Sequence, residues 1–325
     1  MKLARRQFMH LAAGAAAVAA FPQSGFALDY PTRPVRIVVG FSPGGAPDIV
    51  ARLLGQWLTE RLGQPFIVEI RGGAGGNIGT EAVVRAAPDG YTLLLVAPND
   101  AINATLYDKL NFNFIRDIEP VAGIVRTPFV LEIHPSVPAQ SVPELIAYAK
   151  ANPGKLSMAS PGVGSGPHMA GELFRLTAGI DVVHVPYRGA GAALSDMLAG
   201  QVQIVFTSIP ASIEFVRTGK LRALAITTAT RAGQMPDVAP LGDFLPGYES
   251  SLWTGIGLPK NAPAEVVSKL NREINAALED PKFKARLADF GGISLAGSPA
   301  DFGKLIASET EKWAKVVKSS GMKPE

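Results

Sequence analysis

The sequence predicts an α/β protein of two lobes, each a doubly wound sheet with helices on both faces. Short β-branched runs alternate with amphipathic stretches in two successive sets, one before residue 128 and one after it. The 325 residues, 47% hydrophobic and 18% charged, are enough for two ordinary cores rather than one. The 34 Gly and 26 Pro are scattered between these runs instead of forming a biased tract, so they punctuate loops.

The first residues have a different character. Lys2, Arg5 and Arg6 precede an apolar, Ala-rich run over 11–21, and Gly25 and Ala27 supply small residues for a signal-peptidase cut. Residues 1–27 therefore read as a signal peptide cleaved near Ala27, which places the mature chain outside the cytoplasmic membrane. The segment Arg5-Arg6-Gln7-Phe8-Met9 fits a twin-arginine export signal as well as a plain secretory one. An uncleaved anchor is the alternative, but the apolar run is shorter than the ~20 residues a membrane span needs. Losing the segment removes three cations and no acid, so the formal net charge falls from +3 to 0. A neutral mature chain lacks the electrostatic footprint of a nucleic-acid binder. The absence of cysteine excludes disulfides, thiolate metal sites and cysteine nucleophiles.

Taken in order, Val35 to Val39 read as a strand feeding a helix over 49–62, where apolar residues recur at helical spacing. A second pair follows at 66–70 and 78–87, and 91–97 makes a third, buried strand, so this half is expected to be a parallel sheet. The second set places strands at 129–133, 156–159, 182–185, 204–207 and 221–227, with helices at 142–151, 167–178 and 192–199. A Pro- and Gly-rich passage over 236–247 and a short strand near 255–258 precede two final helices, 264–278 and 299–319. The chain is thus expected to leave lobe 1 (28–128), build lobe 2 (129–228) and return to complete lobe 1 (229–325).

In open α/β sheets ligands bind beyond the carboxyl ends of strands, where helix N-termini present unpaired N–H groups. The loop after the first strand, with Phe41, Ser42, Gly44, Gly45 and Asp48, lets backbone approach a ligand and aims a helix start at it; a carboxylate is the natural guest. Its bland reading is a strand-to-helix turn capped by Asp48. Residues 72–79, including Asn77, carry glycines spaced somewhat like a dinucleotide turn, but in the wrong βα unit, so no cofactor is expected. Asn99, just after the third strand, is a further polar candidate.

In the second lobe, Ser160, Gly164, Ser165 and His168 join a strand to a helix and offer hydroxyls and N–H groups at its start. Ser165 does not sit in a hydrolase elbow, since Val163 and Pro167 occupy the positions that need glycine. His168 reads equally well as a ligand contact or as a local structural group. Tyr187, Arg188 and Gly189 supply an aromatic wall, a planar cationic fork suited to a carboxylate and a flexible hinge, although Arg188 also reads as an ordinary surface arginine. Thr207 and Ser208 end another strand. The histidines at 10, 134, 168 and 184 form no metal-ligand spacing, there is no Walker loop, and Asp48, Asp89 and Asp196 make no supported catalytic pair.

These motifs together resemble the tripartite tricarboxylate transporter solute receptors, also called Bug or TctC-type extracytoplasmic receptors. The resemblance rests on Tyr30-Pro31-Thr32-Arg33-Pro34-Val35, the 41–48 loop, Gly75-Gly76-Asn77-Ile78-Gly79, Pro88-Asp89-Gly90-Tyr91-Thr92-Leu93, His184-Val185-Pro186-Tyr187-Arg188-Gly189, Gly219-Lys220-Leu221-Arg222-Ala223-Leu224-Ala225, and Pro246-Gly247-Tyr248 before Trp253. It spans nearly all of the mature chain. It implies a two-lobed, type II periplasmic-binding-protein-like fold, two doubly wound sheets joined by a hinge with the ligand cleft between them, and a periplasmic location. It further implies a small carboxylate ligand, membrane transporter subunits as partners, and no enzymatic activity. In that family the loop matching 41–48 and the helix start matching 164–168 grip a ligand carboxylate, partly through ordered waters, while 187–191 and 205–208 line the other side. Two departures stand out: Ile70-Arg71-Gly72-Gly73 where the family often has Asn-Arg-Pro-Gly, and Phe206-Thr207-Ser208 where it has Phe-Asp-Asn. Without an acid at Thr207 the expected ligand is a di- or tricarboxylate or an aromatic acid rather than an amino acid. The competing reading is a secreted hydrolase or lyase on a similar scaffold, using Ser165 or Ser208 with His168.

Overall fold

The computed structural model describes residues 29–41, 43 and 45–324. Along the chain, β1 (Val35–Val39) leads into α1 (Ala46–Leu62), β2 (Phe66–Ile70) into α2 (Asn77–Val84), and β3 (Thr92–Val96) into α3 (Pro98–Leu106). A single turn, α4 (Phe114–Asp117), opens the long strand β4 (Ile118–Ile133). Then follow α5 (Val142–Ala151), β5 (Ser157–Ser160), α6 (Gly166–Ala178), β6 (Val183–Pro186), α7 (Ala190–Leu198), β7 (Ile204–Ser208), α8 (Ile209–Arg217) and β8 (Arg222–Ile226). The last elements are β9 (Ser251–Pro259), α9 (Ala264–Glu279), α10 (Pro281–Ala288), β10 (Ile293–Ser294) and α11 (Pro299–Ser320).

The strands run in the order β2-β1-β3-β9-β4-β7-β5-β6. Only β1, β2 and β3 meet the expectation of a parallel first sheet; β9 returns antiparallel between β3 and β4, so that sheet is mixed. In the second half β5 is parallel to β6 and β7, while β7 and β8 run antiparallel to β4. Strand β4 belongs to both halves: its residues 118–128 pair with β9, and 129–133 pair with β7 and β8. Pro120, Gly123 and Pro128 interrupt its alternation, which is why only 129–133 reads as strand in the sequence. Pairing from β9 carries the interrupted stretch, with register shifts beside Pro120 and Gly123.

Each half has its own apolar core. The first gathers Leu94, Val96, Ile102, Trp253, Phe302 and Trp313, and both indole N–H groups donate to Glu309 Oε2, at 3.1 and 2.8 Å, which satisfies donors that burial would otherwise strand. The second gathers Leu131, Met158, Phe174 and Phe206, and Leu241 and Tyr248 join it from the loop before β9. Helix α1 stops at Gly63, whose φ of 73° is left-handed and suits glycine. Helices α3, α8 and α10 are absent from the sequence expectation. Each begins at or beside a proline directly after a strand or another helix, so no loop separates the elements.

Candidate functional site

Between the halves lies a cavity of about 500 Å³. The first half contributes Ala46, Pro47 and Leu252; the second contributes Phe129, Pro161, Ser165, Gly166, Pro167, Ala190, Gly191, Ala193, Leu194, Val205, Phe206, Thr207, Ser208 and Ala211. Among the described residues no charged side chain lines it. Four helices begin on its wall: α1 at Ala46, α6 at Gly166, α7 at Ala190, and α8, whose cap is Ser208. Strand-to-helix connections put them there, because β1, β5, β6 and β7 all deliver their carboxyl ends to the same side.

The four helix starts are not equivalent. At α6 the Ser165 hydroxyl accepts from His168 N–H at 3.4 Å and donates to Gly162 O at 2.7 Å. At α1, α7 and α8 the cap residues Gly45, Gly189 and Ser208 make no side-chain hydrogen bond to the first turn among the described residues. Pro47, Pro167 and Pro210 remove one N–H each from α1, α6 and α8, whereas α7 opens Ala190-Gly191-Ala192 with every donor intact.

Several predicted site residues lie behind this wall. His168 is 3% exposed, stacks on His184 with ring centroids 3.8 Å apart, and accepts the Gly164 N–H on Nδ1 at 3.0 Å. Burial, with lesser repulsion from His184 and Arg175, pushes its pKa down to about 3, so the ring is neutral. Ser160 is fully buried, with Oγ 2.7 Å from His184 Nε2. This serine-histidine contact is sealed away from the cavity, and Ser165 and His168 meet through the histidine's backbone N–H, so neither pair presents an activated nucleophile. Both instead anchor the loop preceding α6.

Asp48 is buried in the first turn of α1 and pairs with Arg52 at 2.8 Å. Asn77 accepts from Asn103 Nδ2 at 3.1 Å, and Asn99 is half-buried in the first turn of α3; neither lines the cavity. The Tyr187 hydroxyl donates to Asp196 at 2.8 Å, Gly189 caps α7 with φ of 104°, and Arg188 is exposed without an ion pair among the described residues. Phe41 is half-buried beside the cleft loop and Gly45 is the exposed cap of α1. Ser42, Gly44 and the signal segment lie outside the described residues.

Thr207 and Ser208 line the cavity, as do Ser165 and the residues beginning α6 and α7. The sequence reading did not find Phe129, Leu194 and Leu252, because an apolar residue facing a cavity looks like one facing a core. It also passed over Glu132 and Ser212. Glu132 is fully buried, its carboxyl contacts Thr207 Oγ1 at 3.1 Å and Ser212 Oγ, and burial pushes its pKa up to about 7 against the lowering effect of those two hydroxyls. Among the described residues no group of histidines and acids could hold a metal ion, and no helix is long and apolar enough to cross a membrane.

Two α/β halves sharing strand β4, with a cavity between them walled by helix starts, define a two-lobed solute-binding protein of the periplasmic type. The chain belongs to the tripartite tricarboxylate transporter family of receptors, whose family model matches residues 50–322. It is 37% identical over 297 residues to Protein BugT of Bordetella pertussis (strain Tohama I), covering 90% of this chain and 91% of that protein. A solved R. palustris structure with adipate is 34% identical, with a TM-score of 0.77 over 91% of this chain and all of that one. MatC from Rhodopseudomonas palustris with bound malate is 31% identical, with a TM-score of 0.74 over 89% of this chain and all of that one. By family and by these neighbours the protein is a solute-binding receptor and not an enzyme.

Proposed function

We propose that the protein is a periplasmic receptor, exported on residues 1–27, that captures a small di- or tricarboxylate or an aromatic acid and delivers it to membrane transporter subunits of the tripartite tricarboxylate type. The observation that carries the ligand class is the set of uncapped helix starts on a cavity without charged side chains. Orphan N–H groups at a helix start are usually met by a serine, threonine or aspartate; three of the four here are left for a guest. A partly buried helix N-terminus favours an anion by up to ~2 kcal/mol, whereas a pair with an exposed arginine such as Arg188 contributes ~0–1 kcal/mol. The helix starts, not the arginine, are therefore the carboxylate grip. The apolar lining from Phe129, Val205, Leu194 and Leu252 suits the carbon chain or ring between carboxylates. The neighbours' adipate and malate agree in charge and size.

We place the lobes at 28–128 plus the carboxyl-terminal segment, and at 129–228. The loop carrying Leu241 and Tyr248 packs into the core of the second lobe, which supports a return crossing near residue 250. A ligand touching α1 and α7 at once binds the closed lobes more tightly and shifts the population toward them.

Thermal unfolding of residues 28–325 against dicarboxylates, tricarboxylates, aromatic acids and amino acids tests the reading. Ligand at ~100 times its Kd adds about 2.7 kcal/mol of stability. A shift with a di-, tri- or aromatic carboxylate, the compound recovered unchanged, is the expected result; tight binding of an amino acid with no dicarboxylate bound would overturn it.

A further inference from the structure

Beside the cavity, three side chains meet in a closed triangle. Thr207 Oγ1 contacts Glu132 Oε2 at 3.1 Å and Ser212 Oγ at 2.8 Å, and Ser212 Oγ contacts Glu132 Oε1. Glu132 comes from β4, Thr207 from the facing strand β7, and Ser212 from α8 packed over both. All three are buried, and Thr207 is also part of the cavity wall.

Counting protons fixes what this triangle is. Three oxygen-oxygen contacts need three hydrogens, and the two hydroxyls supply two. An ionised Glu132 would leave one edge with lone pairs facing each other. A protonated Glu132 closes the ring: its O–H donates to Ser212, Ser212 donates to Thr207, and Thr207 donates back to Glu132 Oε2. Burial without an ion pair among the described residues favours the neutral acid for the same reason, since its raised pKa reflects the cost of a charge there.

A closed ring leaves the Thr207 hydroxyl with no proton to offer and one lone pair unused. Thr207 directly precedes Ser208, the cap of the α8 start on the same wall. Were a carboxylate to seat on α8, its neighbouring carbon would lie near Thr207 on the same wall, where the spare lone pair can take a donor and has no proton to give.

We infer that Glu132 and Ser212 are positioning residues that make Thr207 an obligate acceptor on the cavity wall, so that the receptor selects acids bearing a hydroxyl beside the carboxylate over the same acids without one. The inference rests on the carboxylate reading of the cavity. An ammonium in the hydroxyl's place would also donate, but a neutral ring offers it no counter-charge, so the 2-amino analogue is the poorer ligand.

Calorimetric titration of residues 28–325 with two matched pairs, succinate with 2-hydroxysuccinate and adipate with 2-hydroxyadipate, and with 2-aminosuccinate, tests it. The expected result is a hydroxy acid bound at least about tenfold more tightly than its unsubstituted partner, corresponding to about 1.4 kcal/mol, and more tightly than the amino analogue. Thr207→Val should bring that ratio close to one. Glu132→Gln keeps one donor and one acceptor in the ring and should retain the preference; Glu132→Leu frees the Thr207 proton and should lose it. If the leucine variant does not fold, the valine variant decides. Equal affinities within both pairs, a preference that survives Thr207→Val, or tighter binding of the amino analogue would overturn the inference alone. Binding of none of the four acids would overturn the carboxylate reading and the inference with it.

Discussion

The starts of α6 and α1 reach the same cavity from opposite lobes and are built in opposite ways. At α6, Ser165 caps the helix, His168 holds the Gly164 N–H, His184 stacks on His168 and contacts Ser160, so the loop is fixed by a network anchored on the buried Ser160 and His168. At α1 the cap is Gly45, with no side-chain hydrogen bond, and the nearest polar group, Asp48, is occupied by Arg52. One lobe carries a helix start tied down by side chains and the other a helix start whose cap residue brings no side chain to it. A receptor that must hold its ligand only when closed benefits from that division: the built half orders the ligand, and the bare half supplies contacts made only on closure.

The largest expected effect breaks the built half with acid. The unfolded chain protonates its histidine near 6.5, whereas folded His168 stays neutral down to about 3, so its contribution is complete above pH 6.5 and is lost as pH falls through that window. The span corresponds to at most ~4–5 kcal/mol. Glu132, raised from 4.5 to about 7, and Asp100, raised to about 6, have the opposite sign: the folded state holds their protons more tightly, and their contribution fades as pH rises toward those values. Between pH 6 and 4.5 the loss at His168 opposes gains at both Glu132 and Asp100, which leaves a net gain of about one proton's linkage on acidification. Urea unfolding at a series of pH values should therefore find wild type gaining stability from pH 6 to 4.5 and weakening below about 3.8, where only the His168 slope is left. His168→Asn, whose amide oxygen can still accept the Gly164 N–H, should gain about twice as steeply over the same range; a wild-type-like profile in that variant would remove His168 from the account.

The same contrast decides what the sequence could disclose. The βα loops at 41–48 and 160–168, with Thr207 and Ser208, were legible because glycine and proline placed between a β-branched run and an amphipathic one mark a helix start. The direction of a polar side chain was not legible. Ser160 read as a ligand group and His168 equally as a ligand contact or a local structural group, and both are buried behind the wall; Arg188, which read as a carboxylate partner or as an ordinary surface arginine, is exposed and does not line the cavity. Glu132 sat unnoticed inside an apolar strand because its partners arrive from β7 and α8, more than seventy residues on. The antiparallel β9 was legible only near 255–258, since its pairing with β4 depends on a contact across more than a hundred residues.

A smaller effect separates anchoring from packing in the built half. Ser165→Ala removes the α6 cap and the tie to Gly162, which should cost about 1 kcal/mol in the urea midpoint with an unchanged slope. Because Ser165 itself lines the cavity, affinity should fall by several-fold in the same variant. Loss of stability with affinity intact would mean that the turn is held by His168 alone.

The smallest change in stability probes the bare half and is the most telling in sign. Gly45 has φ of −75° and ψ of 165°, an extended conformation open to any residue, so Gly45→Ser can be accommodated without strain. A serine there caps α1 and should stabilise the protein by a few tenths of a kcal/mol. The same hydroxyl then occupies an N–H that the closed receptor would otherwise turn to the ligand, so affinity should fall even as the unfolding midpoint rises. Parallel gains in stability and affinity would place the carboxylate away from α1 and leave the grip to α6, α7 and α8.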